Sequence, residues 1–425
     1  MIVVIEQEIY KREKLGKLFS LEESYAEEKE ILELGVIYMN SFHYYLPVKI
    51  HFGIGSLGKV GDEAIAMGKR AVIVCGKKSM KENGAIDQLI HLLKEKGVEC
   101  ILWDGIDPEP EVVALNQALL QIKDEKVDIV IGIGGGSTLD LGKALALLAE
   151  YPEKAEAYFG SQGVQKLNKP GIPYIAIPTT AGTGSEVTNN SVFINASTGL
   201  KQSIASPFMF PKAAVIDPDL TKGVPPKVTA ASGMDALTHG IESYLSRGAN
   251  DITKTLAYKS VKLISRSLKR AYDHPGDMEA RADMAEGSLM AGMAFGNSGL
   301  GIAHGISHPL GYHFHIPHGV ANAMLLPKAL KFNREVAKIE IANLYECFFA
   351  ENKANYSMGL KVDAVISHVE ELARQLNIPQ SLKNLGVKKA AFEQIALESF
   401  SSRSIKYNKR EATVQDVKKI LEEIY

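Results

Sequence analysis

The sequence predicts an α/β half followed by an all-helical half, on three observations. From residue 46 to about 224, short apolar runs alternate with helical patterns. The run Val127 to Ile133 is almost continuously apolar, as befits a strand buried on both faces. After about residue 224 strand patterns stop, while the 3.6-residue period continues to the C-terminus. Alternation of the first kind implies a parallel sheet covered by helices.

The elements follow in order. Residues 1–38 begin with a short apolar stretch and then dense charge, without the basic-then-apolar order of a secretory signal. They read as an appendage, with a charged helix as one option. "PVKIHFG" and "KRAVIVCG" read as strands. "AIDQLIHLLKEKG" is an amphipathic helix ended by Gly97, "VECILWDG" the next strand, and "EVVALNQALLQIKDEK" a helix. "VDIVIGIGGG" is a strand, "STLDLGKALALLAEY" a helix and "PYIAIPTT" a strand. Beyond "TKGVPPKV", helical periodicity marks 226–246, 251–272, 278–294, 319–333, 336–350 and 360–376. The expected division is 1–38, 39–224 and 225–425, and a cleft between two domains favours a ligand.

Composition narrows the function classes. With 46% hydrophobic and 23% charged residues, the 425-residue chain is of ordinary globular type. A formal net charge of -2 gives no global reason to bind nucleic acid or an anionic membrane. No apolar run reaches the length of a membrane span. Cys75, Cys100 and Cys347 are far apart and form no CxxC, so a reducing cytoplasm is the expected compartment.

"VDIVIGIGGGSTLDLGKALAL" places Gly134, Gly135 and Gly136 between a buried strand and a helix. Glycines let backbone N–H groups approach a phosphate, and the helix start adds its positive dipole end. Ser137 is the expected N-cap, with Asp140 in the first turn. A strict GxGxxG is not met, because Ser137 holds its last position, so this is a variant, Rossmann-like dinucleotide loop. A tight turn without a ligand is the plainer alternative. A second loop, "AIPTTAGTGSEVTNNS", offers the hydroxyls of Thr179, Thr180 and Thr183 at the end of the next strand. Two such loops point at one crevice.

Five of the eleven histidines lie in "GIAHGISHPLGYHFHIPHG". Asp235 and His239 are four apart in a helical pattern, as are His304 and His308, so each pair shares a helix face. His318 follows in a turn between Pro317 and Gly319. One carboxylate with three imidazoles suits Fe²⁺ or Zn²⁺. Asp235, His239, His304 and His318 are the expected ligands, and His308 is the expected neighbour of the reacting atoms. His313 and His315, in a segment read as irregular, receive no role.

"GIGGGSTLDLGKA" resembles the GGGSxxDxxK element of the iron-containing (group III) alcohol dehydrogenases. "IPTTAGTGSEVT" resembles their threonine loop. "VIDPDL", "AASGMDALTHGIESY" and "GLGIAHGISHPLGYHFHIPHGVANAMLLP" are similar to their metal signatures in order and spacing, from about Phe42 to the C-terminus. The resemblance implies hydride transfer between a small alcohol or aldehyde and NAD or NADP, assisted by Fe²⁺ or Zn²⁺, in a homo-oligomer, a dimer by family. It implies metal binding by Asp235, His239, His304 and His318. Gly135, Gly136 and Ser137 would hold the pyrophosphate, Thr179, Thr180 and Thr183 the adenine and phosphates, and Lys201 the nicotinamide ribose. His308 would lie beside the nicotinamide and Phe295 in the substrate pocket.

Two departures stand out. Where the family often has Asp after the first cofactor-domain strand, this chain has Gly76, followed by Lys77 and Lys78. That favours NADP over NAD, since an Asp would repel a 2′-phosphate. The family's common C-terminal "NPR" reads "NKR" at 408–410. Two rivals are a carbon–oxygen lyase like dehydroquinate synthase, which shares this architecture, and a metal hydrolase whose glycine loop is structural. The lyase needs a basic pocket, for which Arg247 is the nearest candidate.

Overall fold

The computed structural model describes residues 41–106, 110–159, 167–195, 200–349 and 356–425. The expected appendage, 1–38, lies outside the described residues. Six strands, β1 (Lys49–Phe52), β2 (Arg70–Gly76), β3 (Glu99–Ile106), β4 (Ile129–Gly134), β5 (Tyr174–Pro178) and β8 (Ala213–Ile216), form one sheet in the order β1-β8-β5-β4-β2-β3. Every pairing in it is parallel. β6 (Asn190–Asn195) and β7 (Leu200–Ala205) make a separate antiparallel pair. Helices α1 (Val60–Met67), α2 (Ala85–Glu95), α3 (Val112–Ile122) and α4 (Gly136–Leu148) connect the strands. Every residue of β4 and of β5 is buried, which is why these strands read as apolar runs rather than alternations.

The chain then turns helical: α5 (Pro226–Leu245), α6 (Asp251–Asp273), α7 (Met278–Ser298), α8 (Ile302–Phe314), α9 (His318–Asn333), α10 (Met358–Gln375), α11 (Phe392–Ser399) and α12 (Val414–Glu423). The expected helix at 336–350 is instead two short ones, Lys338–Asn343 and Tyr345–Phe348. An apolar core built from Met234, Leu237, Ile241, Ile264, Ile306 and Leu325 holds this half together. Full burial of each such side chain contributes about 1.5–3 kcal/mol. Among the described residues no helix is long and apolar enough to cross a membrane.

β2 is the start of a reversal. The chain runs outward from β2 to β3, then returns across β2 to β4. Ligands of open α/β sheets bind at such a switch, outside the carboxyl ends of the strands. Here that edge carries Gly76 on β2 and Gly134 on β4, with Cys75 opposite Ile133 one step inside.

Candidate active site

The two polar loops leave adjacent strand ends, since Gly134 pairs with Pro178, and they pack on each other. Thr179 N–H donates to Gly134 O at 2.9 Å. A Cβ at Gly136 would stand 2.5 Å from Thr183 Cγ2, while at Gly135 it would meet Thr180 Oγ1 at 3.4 Å. Gly136 is therefore required by loop packing, whatever the loop binds. The N-cap of α4 lies two residues earlier than expected. It is Gly135, not Ser137, because Gly135 in extended conformation already presents its carbonyl to the N–H of Thr138 and Leu139. Ser137 thus belongs to the first turn itself.

Asp140 points away from the helix end into the threonine loop. It accepts from Ser185 Oγ at 2.5 Å and from Val192 N at 2.9 Å. Lys143, the lysine of GGGSxxDxxK, is buried beside it at 3.7 Å. The ammonium donates to Thr188 Oγ1 at 3.1 Å and Asn190 O at 2.7 Å. Burial pushes Lys143 down to about 8 against the pull of Asp140 and Glu186, and burial raises Glu186 to about 7. These three charges brace the loops from beneath.

α5 carries the first half of the metal-type set. Asp235 and His239 are buried on one face, one turn apart. α8 brings His304 to them, also buried. One ligand atom from each of Asp235, His239 and His304 lies within 4.8 Å of the others. His318, at the first position of α9, stands at the rim: its Nε2 is 3.7 Å from Asp235 Oδ1. Asn322, one turn along α9 from His318, ties the set together. Its Nδ2 lies 2.7 Å from Asp235 Oδ1, 3.0 Å from His304 Nε2 and 3.1 Å from His318 Nε2. Its Oδ1 is buried with no hydrogen-bond partner among the described residues.

The residues fit a divalent ion. A ligating imidazole ordinarily donates its other ring N–H to a carboxylate or carbonyl. His304 Nδ1 donates to Glu242 Oε2 at 2.7 Å, and His239 Nδ1 to Gly182 O at 3.2 Å, because neither oxygen can donate. His318 Nδ1 meets Ser307 Oγ at 3.4 Å. Burial lowers His239 to about 4 and keeps its ring neutral, as a ligand must be. Burial opposes charge on Asp235 and His304 too. The surrounding imidazoles nevertheless hold Asp235 well below the ordinary carboxylate range. Asp235 and Glu242 carry His304 up to about 9. These two carboxylates draw a second proton onto the His304 ring, which it would give up to bind an ion.

The other expected residues fall around it. Phe295 stacks on His239 with centroids 4.4 Å apart. His308 stacks on His318 at 5.4 Å, and burial, then His304 and Lys201, push it down to about 3. Lys201 on β7 reaches α8, where a Cβ at Gly311 would be 3.1 Å from its Nζ. His313 is not in an irregular segment. It sits in the last turn of α8, with Nε2 2.6 Å from Glu398, while His315 ends the helix at φ 51°. Arg247 is engaged with Glu411 and Lys406 O at the C-terminal segment and supplies no basic pocket.

Sequence reasoning passed over Glu242, Asn322, Lys143 and Glu186. Spacing could have found the first two. Glu242 is seven residues after Asp235 on the same helix face, and Asn322 is four after His318.

A switch-point sheet with paired polar loops, joined through the Gly182–His239 bond to a buried Asp/His cluster, sets a nucleotide-type crevice beside a metal-type site, and comparison with known proteins makes the class a metal-dependent alcohol/aldehyde oxidoreductase using NAD(P). Residues 47–218 match the family described as iron-containing alcohol dehydrogenase, and 229–425 its C-terminal part. The chain belongs to that iron-containing alcohol dehydrogenase family. It is 34% identical over 386 residues to the 1,3-propanediol dehydrogenase of Klebsiella pneumoniae, covering 90% of this chain and 99% of that one. The NADPH-dependent butanol dehydrogenase of Clostridium saccharobutylicum is 35% identical over 387 residues, 90% and 97% of the two chains. A crystal structure of 1,3-propanediol oxidoreductase superposes with a TM-score of 0.87 at 35% identity, covering 91% of this chain and all of the other. The lyase and hydrolase alternatives are not favoured.

Proposed function

We propose that this chain transfers hydride reversibly between the carbinol carbon of a small alcohol and the nicotinamide of NADP(H). Fe²⁺, with Zn²⁺ as the alternative, would be held by Asp235, His239, His304 and His318. The observation that carries this is the converging Asp235–His239–His304 set, tied through Gly182 to the threonine loop. When bound, the ion supplies Lewis acidity at the alcohol oxygen and the nicotinamide accepts the hydride.

The chain's own residues bind and orient. Gly134, Gly135, Gly136 and Ser137 present the start of α4 to the pyrophosphate. Thr179, Thr180 and Thr183 border the nucleotide. Asp140 acts on the cofactor indirectly, by fixing the loop through Ser185. Lys201 lies toward the nicotinamide ribose, and Phe295 forms a wall of the substrate pocket. His308, kept neutral by burial, can relay a proton leaving the alcohol but does not store it.

NADP is the preferred cofactor in this reading. A side chain at Gly76 would meet nothing within 4 Å, so the space beside the adenosine ribose is open. Lys77 and Lys78 follow it. The named butanol dehydrogenase relative supports the same choice. A cytoplasmic setting agrees with the free thiols of Cys75, Cys100 and Cys347. A homodimer is inferred from the family alone.

The test is a panel of short alcohols, diols and aldehydes assayed with NAD(H) and NADP(H), with metal content measured on the same sample. Turnover that rises with bound metal and is faster with NADP(H) is expected. A metal-loaded protein that reduces no aldehyde with either cofactor overturns the proposal.

A further inference from the structure

The start of α8 has N–H groups that its own helix cannot satisfy. Two side chains from distant parts of the chain take those of Gly301 through His304. Glu242 Oε2 accepts from Gly301 N at 2.9 Å and His304 N at 3.4 Å, and Oε1 from Ala303 N at 2.7 Å. Asn408 Oδ1 accepts from Ile302 N at 3.2 Å. Asn408, the first residue of the divergent "NKR", is clamped in turn. It exchanges hydrogen bonds with Asn333 and donates to Arg410 O at 2.7 Å. A Cβ on Gly301 would stand 2.7 Å from Glu242 Oε1 and 3.0 Å from Asn408 Oδ1, so glycine is what admits both.

The same Glu242 carboxylate receives His304 Nδ1. A helix cap alone needs no contact with an imidazole, and a local Ser or Asp would serve. Here a buried charge from α5 couples the position of the helix start to the orientation of a ring on it. We propose that Glu242 is a positioning residue for the metal centre. It keeps the His304 proton on Nδ1 and Nε2 turned to Asp235, while Asn408 locks the backbone from which that ring projects. This rests on the metal reading of Asp235, His239 and His304.

Glu242→Gln exposes the coupling. Its NH₂ faces an N–H wherever it sits: that of Ala303 on one side, those of Gly301 and the His304 ring on the other. With the NH₂ on the ring side, His304 loses its anchor or moves its proton to Nε2; with it on the Ala303 side, the ring keeps only a neutral amide oxygen, a weaker acceptor, and the helix start is pushed off by the facing N–H groups. The experiment strips the protein of metal, reloads it with Zn²⁺ in competition with a chromophoric chelator, and records the His304 ring N–H in ¹⁵N-labelled protein, assigned by its loss in His304→Ala. Glu242→Gln is expected to weaken Zn²⁺ binding roughly 10- to 100-fold, the usual cost of losing a partner behind a ligand, and to shift or abolish that N–H signal. Gly301→Ala, which crowds the carboxylate, should change both in the same direction by less, and carries the test if Glu242→Gln does not fold. Unchanged Zn²⁺ affinity and an unchanged ring signal in folded Glu242→Gln overturn the proposal. So does a Gly301→Ala variant that melts earlier with both readouts intact, since Glu242 is then only a cap. A parent protein that takes up no Zn²⁺ overturns the metal reading instead, and the ring signal of the metal-free protein still decides the Glu242–His304 pairing.

Discussion

The sheet side and the helical side of the site are made of different materials. On the sheet side, the surface offered to a ligand is backbone and small residues, Gly134 to Ser137 and the threonine loop, at the ends of strands that are wholly buried. On the helical side it is side chains from three helices, the rings each held by a partner behind: Glu242 for His304, Gly182 O for His239 and Ser307 for His318. A backbone surface asks for room, as at Gly136, rather than for particular side-chain chemistry, because every residue but proline supplies an N–H. A side-chain constellation asks for particular residues, because each ring has one useful orientation.

The first way to break this contrast is His304→Ala. It should cost roughly a thousandfold in kcat, several kcal/mol of lost metal assistance at about 1.4 kcal/mol per decade. Metal analysis of the purified variant should show the ion gone. Full metal and full turnover would remove His304 from the centre. His308→Ala sharpens the line between ligand and neighbour. Turnover should fall roughly a hundredfold, the scale of a lost proton-transfer partner, with metal content intact.

On the sheet side effects should be smaller. Gly76→Asp puts a carboxylate where a 2′-phosphate would lie. It should reverse the ratio of kcat/KM for NADP and NAD, by about tenfold or more if one charged contact of about 1.5–3 kcal/mol is at stake. A parent enzyme that already prefers NAD would defeat the argument from Gly76.

The smallest effect concerns the charges under the loops. Burial raises Glu186 to about 7, above its ordinary 4.5. A raised carboxyl stabilises the fold fully below its unfolded value and loses that contribution as pH climbs through 7. Between pH 5 and 7 the parent should therefore lose about 1–2 kcal/mol that Glu186→Gln does not lose. Parallel stability curves for the two proteins in urea would show that Glu186 is not strained.

The same contrast explains what could be read from the sequence. Glycine runs after an apolar strand and i,i+4 Asp/His pairs are local signals, so the paired loops and the Asp235, His239, His304 and His318 side chains that the fold brings together were legible in the sequence. What stayed hidden was coupling across distance. Spacing sets Glu242 on the helix face of Asp235, but its contact with His304, like that of Asn408 with Ile302, forms only once the helices have packed. Only the one turn from His304 to His308 was read as helical within α8, because Gly305, Pro309 and Gly311 mask its period, although Ile302, Ile306 and Leu310 supply a buried face. β8 was missed because four apolar residues before "DPDL" are too short for a pattern. The β6–β7 pair was missed because a polar, two-stranded ribbon carries little hydrophobic signal. Ser137 misled because a good capping residue sat one place beyond the actual helix start.

The edge of the sheet has a consequence for biosynthesis. β1 leaves the ribosome before the other strands, yet Lys49 lies opposite Ala213 and its row of partners is β8. β5 waits for the same strand, for Ile175 and Ala176 pair with it as well. Until residue 216 has emerged, β1 has no neighbour in the sheet and β5, paired with β4 on one side, keeps its other edge open. Unpaired strands of that kind recruit other chains. The four residues Ala213–Ile216 fill the gap between β1 and β5, so one short strand, made last, closes the middle of the sheet.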